Sequence, residues 1–192
     1  MEELVAEWLQ LDDYLIEISL PVSVAQAGGR YRADVVGAKV NVTTLEIKHV
    51  ECGTLGGGDK SIMSLDRKFS SQNCQYIEQH FRSKMGFNGQ NVKYEKTYIT
   101  NYWSKPTIAG AINLGINVIT LPVFICSNIL PTIEKWKRNW IIQRKLKTKN
   151  WKTITLPESC WLLKLIEDLY RMELLTCARA KRMGITSRLE VI

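Results

Sequence analysis

The feature that most constrains the fold is a change of hydrophobic period. It switches from helix to strand and back within the first eighty-five residues. Residues 2–14 repeat Leu4, Val5, Trp8, Leu9 and Leu11 at helical spacing. Residues 15–20, Leu-Ile-Glu-Ile-Ser-Leu, alternate as a strand and halt at Pro21. Residues 31–40 and 44–51 alternate again around Asn41-Val42-Thr43, which predicts an antiparallel pair. A helical pattern over about 60–85 follows, through Ile62, Leu65, Phe69, Tyr76, Ile77, Phe81 and Met85 to a stop at Gly86. A chain patterned this way is expected to form an α/β fold, a sheet flanked by helices.

The second half continues the alternation. A strand is expected at 92–100, then a helix from Pro106 to Gly115 and a short strand at 117–121. A helix over 122–138 follows, kinked at Pro131. A last helix, 157–182, carries Trp161, Leu162, Leu165, Ile166, Leu169 and Leu174 on its apolar side. The reading is an α/β domain over residues 1–140, with residues 141–192 as an appended basic linker and C-terminal helix.

Composition narrows the class. With 192 residues, 45% hydrophobic and 23% charged, the chain is neither disordered nor collagen-like. No apolar run reaches the roughly 18 residues of a membrane span, so no membrane partner is expected. The acidic, amphipathic N-terminus does not read as a signal peptide. Five singly placed cysteines, none in a CxxC pair, point to a reducing, cytoplasmic setting and away from structural zinc. A net charge of +7 suits a polyanionic partner, above all nucleic acid. Between Lys135 and Lys152 lie eight Lys/Arg and no acid, with Trp136, Trp140 and Trp151 interleaved. Arg144, Lys145, Lys147 and Lys149 in that run are candidate phosphate contacts, and indoles can stack on bases. A solvated linker with core tryptophans fits the same residues.

Chemistry concentrates on the predicted hairpin. Asp34 stands on its first strand, Glu46-Ile47-Lys48 on its second. If the hairpin is centred on residue 42, alternation points Asp34, Glu46 and Lys48 to one face, with extra twist or a bulge at Gly37 closing the remaining gap. Two close carboxylates call for a cation, and hard oxygen ligands suit Mg²⁺ or Mn²⁺. A lysine beside such an ion can orient a water and neutralise charge on a phosphorus. Simple surface ion pairs would use the same residues.

Asp34 and Glu46-Ile47-Lys48, set in a helix-strand-strand-strand-helix-strand order, resemble the PD-(D/E)XK nuclease superfamily, the restriction-endonuclease-like fold. Ala33-Asp34 stands for its Pro-Asp. The resemblance implies a core of order α-β-β-β-α-β-α-β with a mixed sheet. It implies Asp34, Glu46 and Lys48 as catalytic residues. Asp34, Glu46 and the Ile47 carbonyl would be metal ligands, with Glu7 on the first helix reaching the same ion. Archaeal Holliday-junction resolvases of this superfamily begin with a similar helix. The expected activity is Mg²⁺-dependent endonucleolytic hydrolysis of double-stranded or branched DNA, by a homodimer. The alternatives are an inactive nuclease-like module that only binds nucleic acid, and an assembly subunit whose hairpin charges are incidental.

Other motifs weigh less. "GTLGGGDKS" nearly spells a phosphate-binding loop, but Asp59 interrupts it. Lys60, Arg67 and Lys68 on the following helix are candidates to line a DNA groove. His49 alternates away from Lys48, and Cys52 has no neighbouring base in sequence.

Overall fold

The computed structural model describes residues 1–22, 31–54, 58–101, 105–145 and 150–177. Its elements are α1 (Glu2–Leu11), β1 (Leu15–Pro21), β2 (Arg32–Asn41), β3 (Thr44–Gly53), α2 (Asp59–Lys68), α3 (Ser71–Met85) and β4 (Asn91–Thr100). They continue with α4 (Lys105–Asn113), β5 (Asn117–Thr120), α5 (Leu121–Phe124), α6 (Leu130–Gln143) and α7 (Trp161–Arg171). The strands form one mixed sheet in chain order. β1, β2 and β3 make an antiparallel meander, and β4 and β5 follow parallel to β3. The α/β architecture with helices on both faces is as expected.

Two layers of helix cover the sheet. Leu9 and Trp8 of α1 share one core with Val35, Val50, Phe124, Ile133 and Leu163. On the other face Ile77 and Phe81 of α3 pack on Val36, Ala38, Leu45 and Ile47. Leu65 and Phe69 meet Tyr98, Ile108 and Val118 beyond them. A methyl group at Gly37 would lie 3.0 Å from Leu9 and 3.2 Å from Tyr14. Gly37 therefore lets α1 sit close to the sheet. It pairs with Lys48 in unbroken register and makes no bulge.

Several sequence boundaries move, each for a local reason. The helix expected over 60–85 is two helices, because Ser70 caps α3 by accepting from the Asn73 backbone N–H. Asn73 in turn donates to the Arg67 and Lys68 carbonyls, tying the end of α2 to α3. The kink expected at Pro131 is a π-helical turn, Ile125–Ile129, just ahead of the proline that cannot donate to that turn.

Residues 150–177 are no appendage. Leu156, Cys160, Leu163 and Ile166 are buried in the same core as α1. α7 ends at Arg171 rather than 182, with residues beyond 177 outside those described. Cys126 and Cys177 form a disulfide across 51 positions, leaving Cys52, Cys74 and Cys160 as thiols. The singly placed cysteines point to a reducing setting, whereas tertiary packing brings together two of them that no spacing rule connects. Among the described residues no helix is long and apolar enough to cross a membrane.

Candidate functional site

The hairpin register decides what the acidic residues can do. Val35 pairs with Val50, Gly37 with Lys48, Lys39 with Glu46 and Asn41 with Thr44. The hairpin is thus centred between Val42 and Thr43, not on Val42. A slip of that size sends a strand's side chains to the opposite face. Glu46 and Lys48 meet Tyr14 and Trp8 on the α1 side, whereas Asp34 meets Cys52, Glu51 and Lys68 of α2. The expected convergence of Asp34, Glu46 and Lys48 does not occur.

Glu46 and Lys48 instead brace the turn end of the hairpin. Tyr14 and Asn41 donate to the two Glu46 carboxylate oxygens at 3.1 and 3.2 Å. Burial first, then the Glu46 charge, pushes the Tyr14 phenol up. Lys48 lies 3.4 Å from Glu95 and 4.8 Å from the Trp8 ring centre. Lys39 and Lys135 both bind Asp12. These are ion pairs of a partly wet surface.

Glu7 does not approach the hairpin acids. It is buried and accepts from the backbone N–H groups of Leu162 and Leu163, at 3.2 and 3.0 Å. α7 has no side-chain cap of its own, so a carboxylate from α1 caps it and meets the positive end of its dipole. Ile47 is fully buried in the core against α3.

A different cluster forms at the other end of the hairpin. Glu51 and Tyr98 pair across β3 and β4, Asp34 lies just beyond the Val35–Val50 end of the β2–β3 ladder, and Lys68 reaches them from the last turn of α2. Lys68 Nζ is 2.6 Å from Glu51 Oε2 and 3.9 Å from Asp34 Oδ2. The Cys52 N–H donates to Asp34 Oδ2 at 2.8 Å, and the Asp34 N–H donates to Glu51 Oε1 at 3.3 Å. His49, fully buried, places Nε2 2.9 Å from Glu51 Oε1 and Nδ1 3.1 Å from the Tyr94 hydroxyl. A carboxylate only accepts, so the neutral ring carries its proton on Nε2 and accepts from Tyr94 on Nδ1.

The electrostatics divide the two acids. Burial pushes the Asp34 carboxyl up to about 6; the Cys52 N–H and Lys68 oppose the rise, and the Glu51 charge adds to it. Burial also acts on Glu51, but the His49 hydrogen bond and the Lys68 ammonium outweigh it and hold that carboxyl down at about 2. Burial lowers His49, which stays neutral. Lys68 is held above its ordinary value: burial works against its charge, and Glu51 and Asp34 outweigh burial. The Cys52 thiol is pushed up to about 12 by burial and by Asp34, so it supplies no thiolate. Close carboxyls with their pKa values forced apart, beside a cation, mark a functional-site candidate.

Among the described residues no three His, Cys, Asp or Glu side chains converge on a metal position. Mg²⁺ does not require that, since it is commonly held by one or two carboxylates with waters and substrate oxygens. Asp34 and Glu51 are the two carboxylates here, and Lys68 and His49 occupy the two oxygens of Glu51.

The remaining candidates are dispersed. Lys60 and Arg67 are exposed on α2, while Lys68 is paired with Glu51 and Asp34. Arg144 and Lys145 are exposed at the end of α6, with the Arg144 guanidinium 4.5 Å from the Trp140 ring centre. Lys147 and Lys149 lie outside the described residues. Glu51 is not among the expected site residues, although it stands two positions after His49 on one strand and so shares its face.

Neither the described protein families nor the curated proteins contain a match to this chain. Among solved structures it is similar to a protein of unknown function, AF1548, with a TM-score of 0.40 and 15% identity. That likeness covers 97% of this chain and 88% of the other.

Proposed function

We propose that the chain is a divalent-cation-dependent endonuclease whose phosphodiester chemistry belongs to Asp34, Glu51 and Lys68. The observation that carries this reading is the ammonium of Lys68 set between a half-buried carboxyl and a fully buried carboxylate on neighbouring strands. The resemblance to the PD-(D/E)XK superfamily then rests on Asp34 and Glu51-Cys52-Gly53, with Gly53 where the lysine would stand. A Cβ at Gly53 would lie 2.6 Å from the Tyr98 hydroxyl, so no side chain fits there. Lys68 supplies the missing ammonium from α2. The helix, three-strand meander, helices and parallel strand from α1 to β4 also support this reading.

Each residue has a distinct task. Lys68 neutralises charge that develops on the phosphorus oxygens. Asp34 stands at the edge of the site, its Oδ2 held by the Cys52 N–H. His49 fixes the Glu51 carboxylate from behind. Asp34 and Glu51 would hold Mg²⁺ or Mn²⁺, which would supply a Lewis acid. Lys60 and Arg67 meet the phosphates of double-stranded or branched DNA. Trp161 and Leu165, exposed on α7, offer the contact for a homodimer.

The test is cleavage of plasmid and branched DNA with Mg²⁺, Mn²⁺ or EDTA. Metal-dependent nicking should vanish in Asp34→Asn and Lys68→Ala, and persist in Glu46→Gln and Lys48→Met. Cutting that survives the first pair overturns the assignment. A second reading, a module that binds DNA without cutting, draws on Lys68 already occupying Glu51. It predicts salt-sensitive binding, indifferent to metal, and no nicking in any variant.

A further inference from the structure

A cavity of about 550 Å³ opens between α6, the short turn Trp151–Thr153 and α7, well within the roughly 300–1,000 Å³ usual for ligand sites. Its lining is divided by chemistry. Leu130, Ile133 and the Cys126–Cys177 bridge supply apolar wall, and Trp151 and Tyr170 supply two aromatic rings. Four charged side chains join them: Glu134, Glu167, Lys152 and Arg171.

The two acids are already matched. Glu134 accepts from the Arg138 guanidinium at 2.5 and 2.9 Å. Glu167 accepts from Lys137 at 2.5 and 2.7 Å, and Lys137 is almost wholly buried. Lys152 and Arg171 meet no carboxylate among the described residues, and both are exposed. Among the described residues the cavity therefore offers aromatic surface and two positive charges that no carboxylate pairs, Lys152 also standing 5.9 Å from the Trp151 ring centre, with its negative charges spent on protein partners. That combination selects an anion carrying a flat ring and disfavours a cation.

We propose that this cavity binds a nucleoside monophosphate, with the base against Trp151 and Tyr170 and the phosphate on Lys152 and Arg171. The volume admits one such molecule rather than a strand. The proposal is independent of the hydrolytic site, which lies on the other face of the sheet.

Isothermal titration of the full, oxidised chain with AMP, adenosine and inorganic phosphate separates the contributions. AMP should bind saturably, adenosine at least about tenfold more weakly because it lacks the charge-assisted hydrogen bonds, and phosphate more weakly because it lacks the stacked ring. Lys152→Ala combined with Arg171→Ala changes only exposed side chains. It should weaken AMP about tenfold or more and leave adenosine unchanged. Trp151→Phe should weaken both nucleoside ligands, and Lys68→Ala should change neither. Adenosine binding as tightly as AMP, AMP affinity unmoved in the double variant, or no saturable heat at millimolar AMP would each overturn the proposal.

Discussion

Lys68 closes α2 by placing its ammonium 2.6 Å from Oε2 of Glu51, a carboxylate with no solvent exposure on β3. Asp34 shares the same cation at 3.9 Å. The pair joins a helix end to the middle of the sheet.

Removing the cation should be costly. Lys68→Met leaves Glu51 buried with no cation beside it, only neutral donors such as His49 and the Asp34 N–H. Breaking a fully buried pair costs about 3–5 kcal/mol; the partial exposure of Lys68 lowers the expectation to about 2 kcal/mol. Urea denaturation at pH 7 checks this, and Lys68→Arg should recover part of the loss.

Asp34 should have the opposite effect. In the unfolded chain its carboxyl ionises near 3.8, whereas in the fold it keeps its proton to about 6. Folding takes up a proton in that window, so this group lowers stability as pH rises through it. Asp34→Asn should therefore stabilise the protein by about 1–2 kcal/mol at pH 7, with the gain fading below about pH 4. Glu51, held at about 2, contributes stability that is present above its unfolded value of 4.5 and lost as pH falls toward 2. Thermal melts of both chains from pH 3 to 8 decide the matter; an Asp34→Asn variant less stable at pH 7 contradicts the reading.

Glu7 predicts a local effect. Glu7→Ala removes the cap from α7, at a cost of about 2 kcal/mol for a buried cap. Amide exchange should accelerate across Trp161–Arg171 first and leave β2 and β3 protected.

Gly53 and Tyr98 should be coupled. Gly53→Ala sets a methyl group against the Tyr98 hydroxyl and should cost about 1–3 kcal/mol by overpacking. Tyr98→Phe should restore much of that in the double variant. Strictly additive single effects would show that the two side chains do not compete for space.

Much of the fold was legible because periodicity reports burial. The stripe of Leu4, Val5, Trp8 and Leu9 gave α1 away, and alternation gave β1 to β4. The break at Ser70 was less legible, since a cap is one hydrogen bond within a continuous apolar pattern. The α7 packing and the Cys126–Cys177 bridge were not legible at all, because both depend on contacts between distant residues.

By itself the sequence determined the alternation of helix and strand, and that acid and base stand on one hairpin. Only the tertiary structure decided which of them meet. Val42-Thr43 lacks the glycine or asparagine signature of a two-residue turn, so the hairpin's centre was open by half a residue. The ladder sets Glu46 opposite Lys39 and Lys48 opposite Gly37 and ends at Val35–Val50, and Asp34 beyond it meets Glu51, Cys52 and Lys68 instead. The break between α2 and α3 then put Lys68 within reach of both carboxylates.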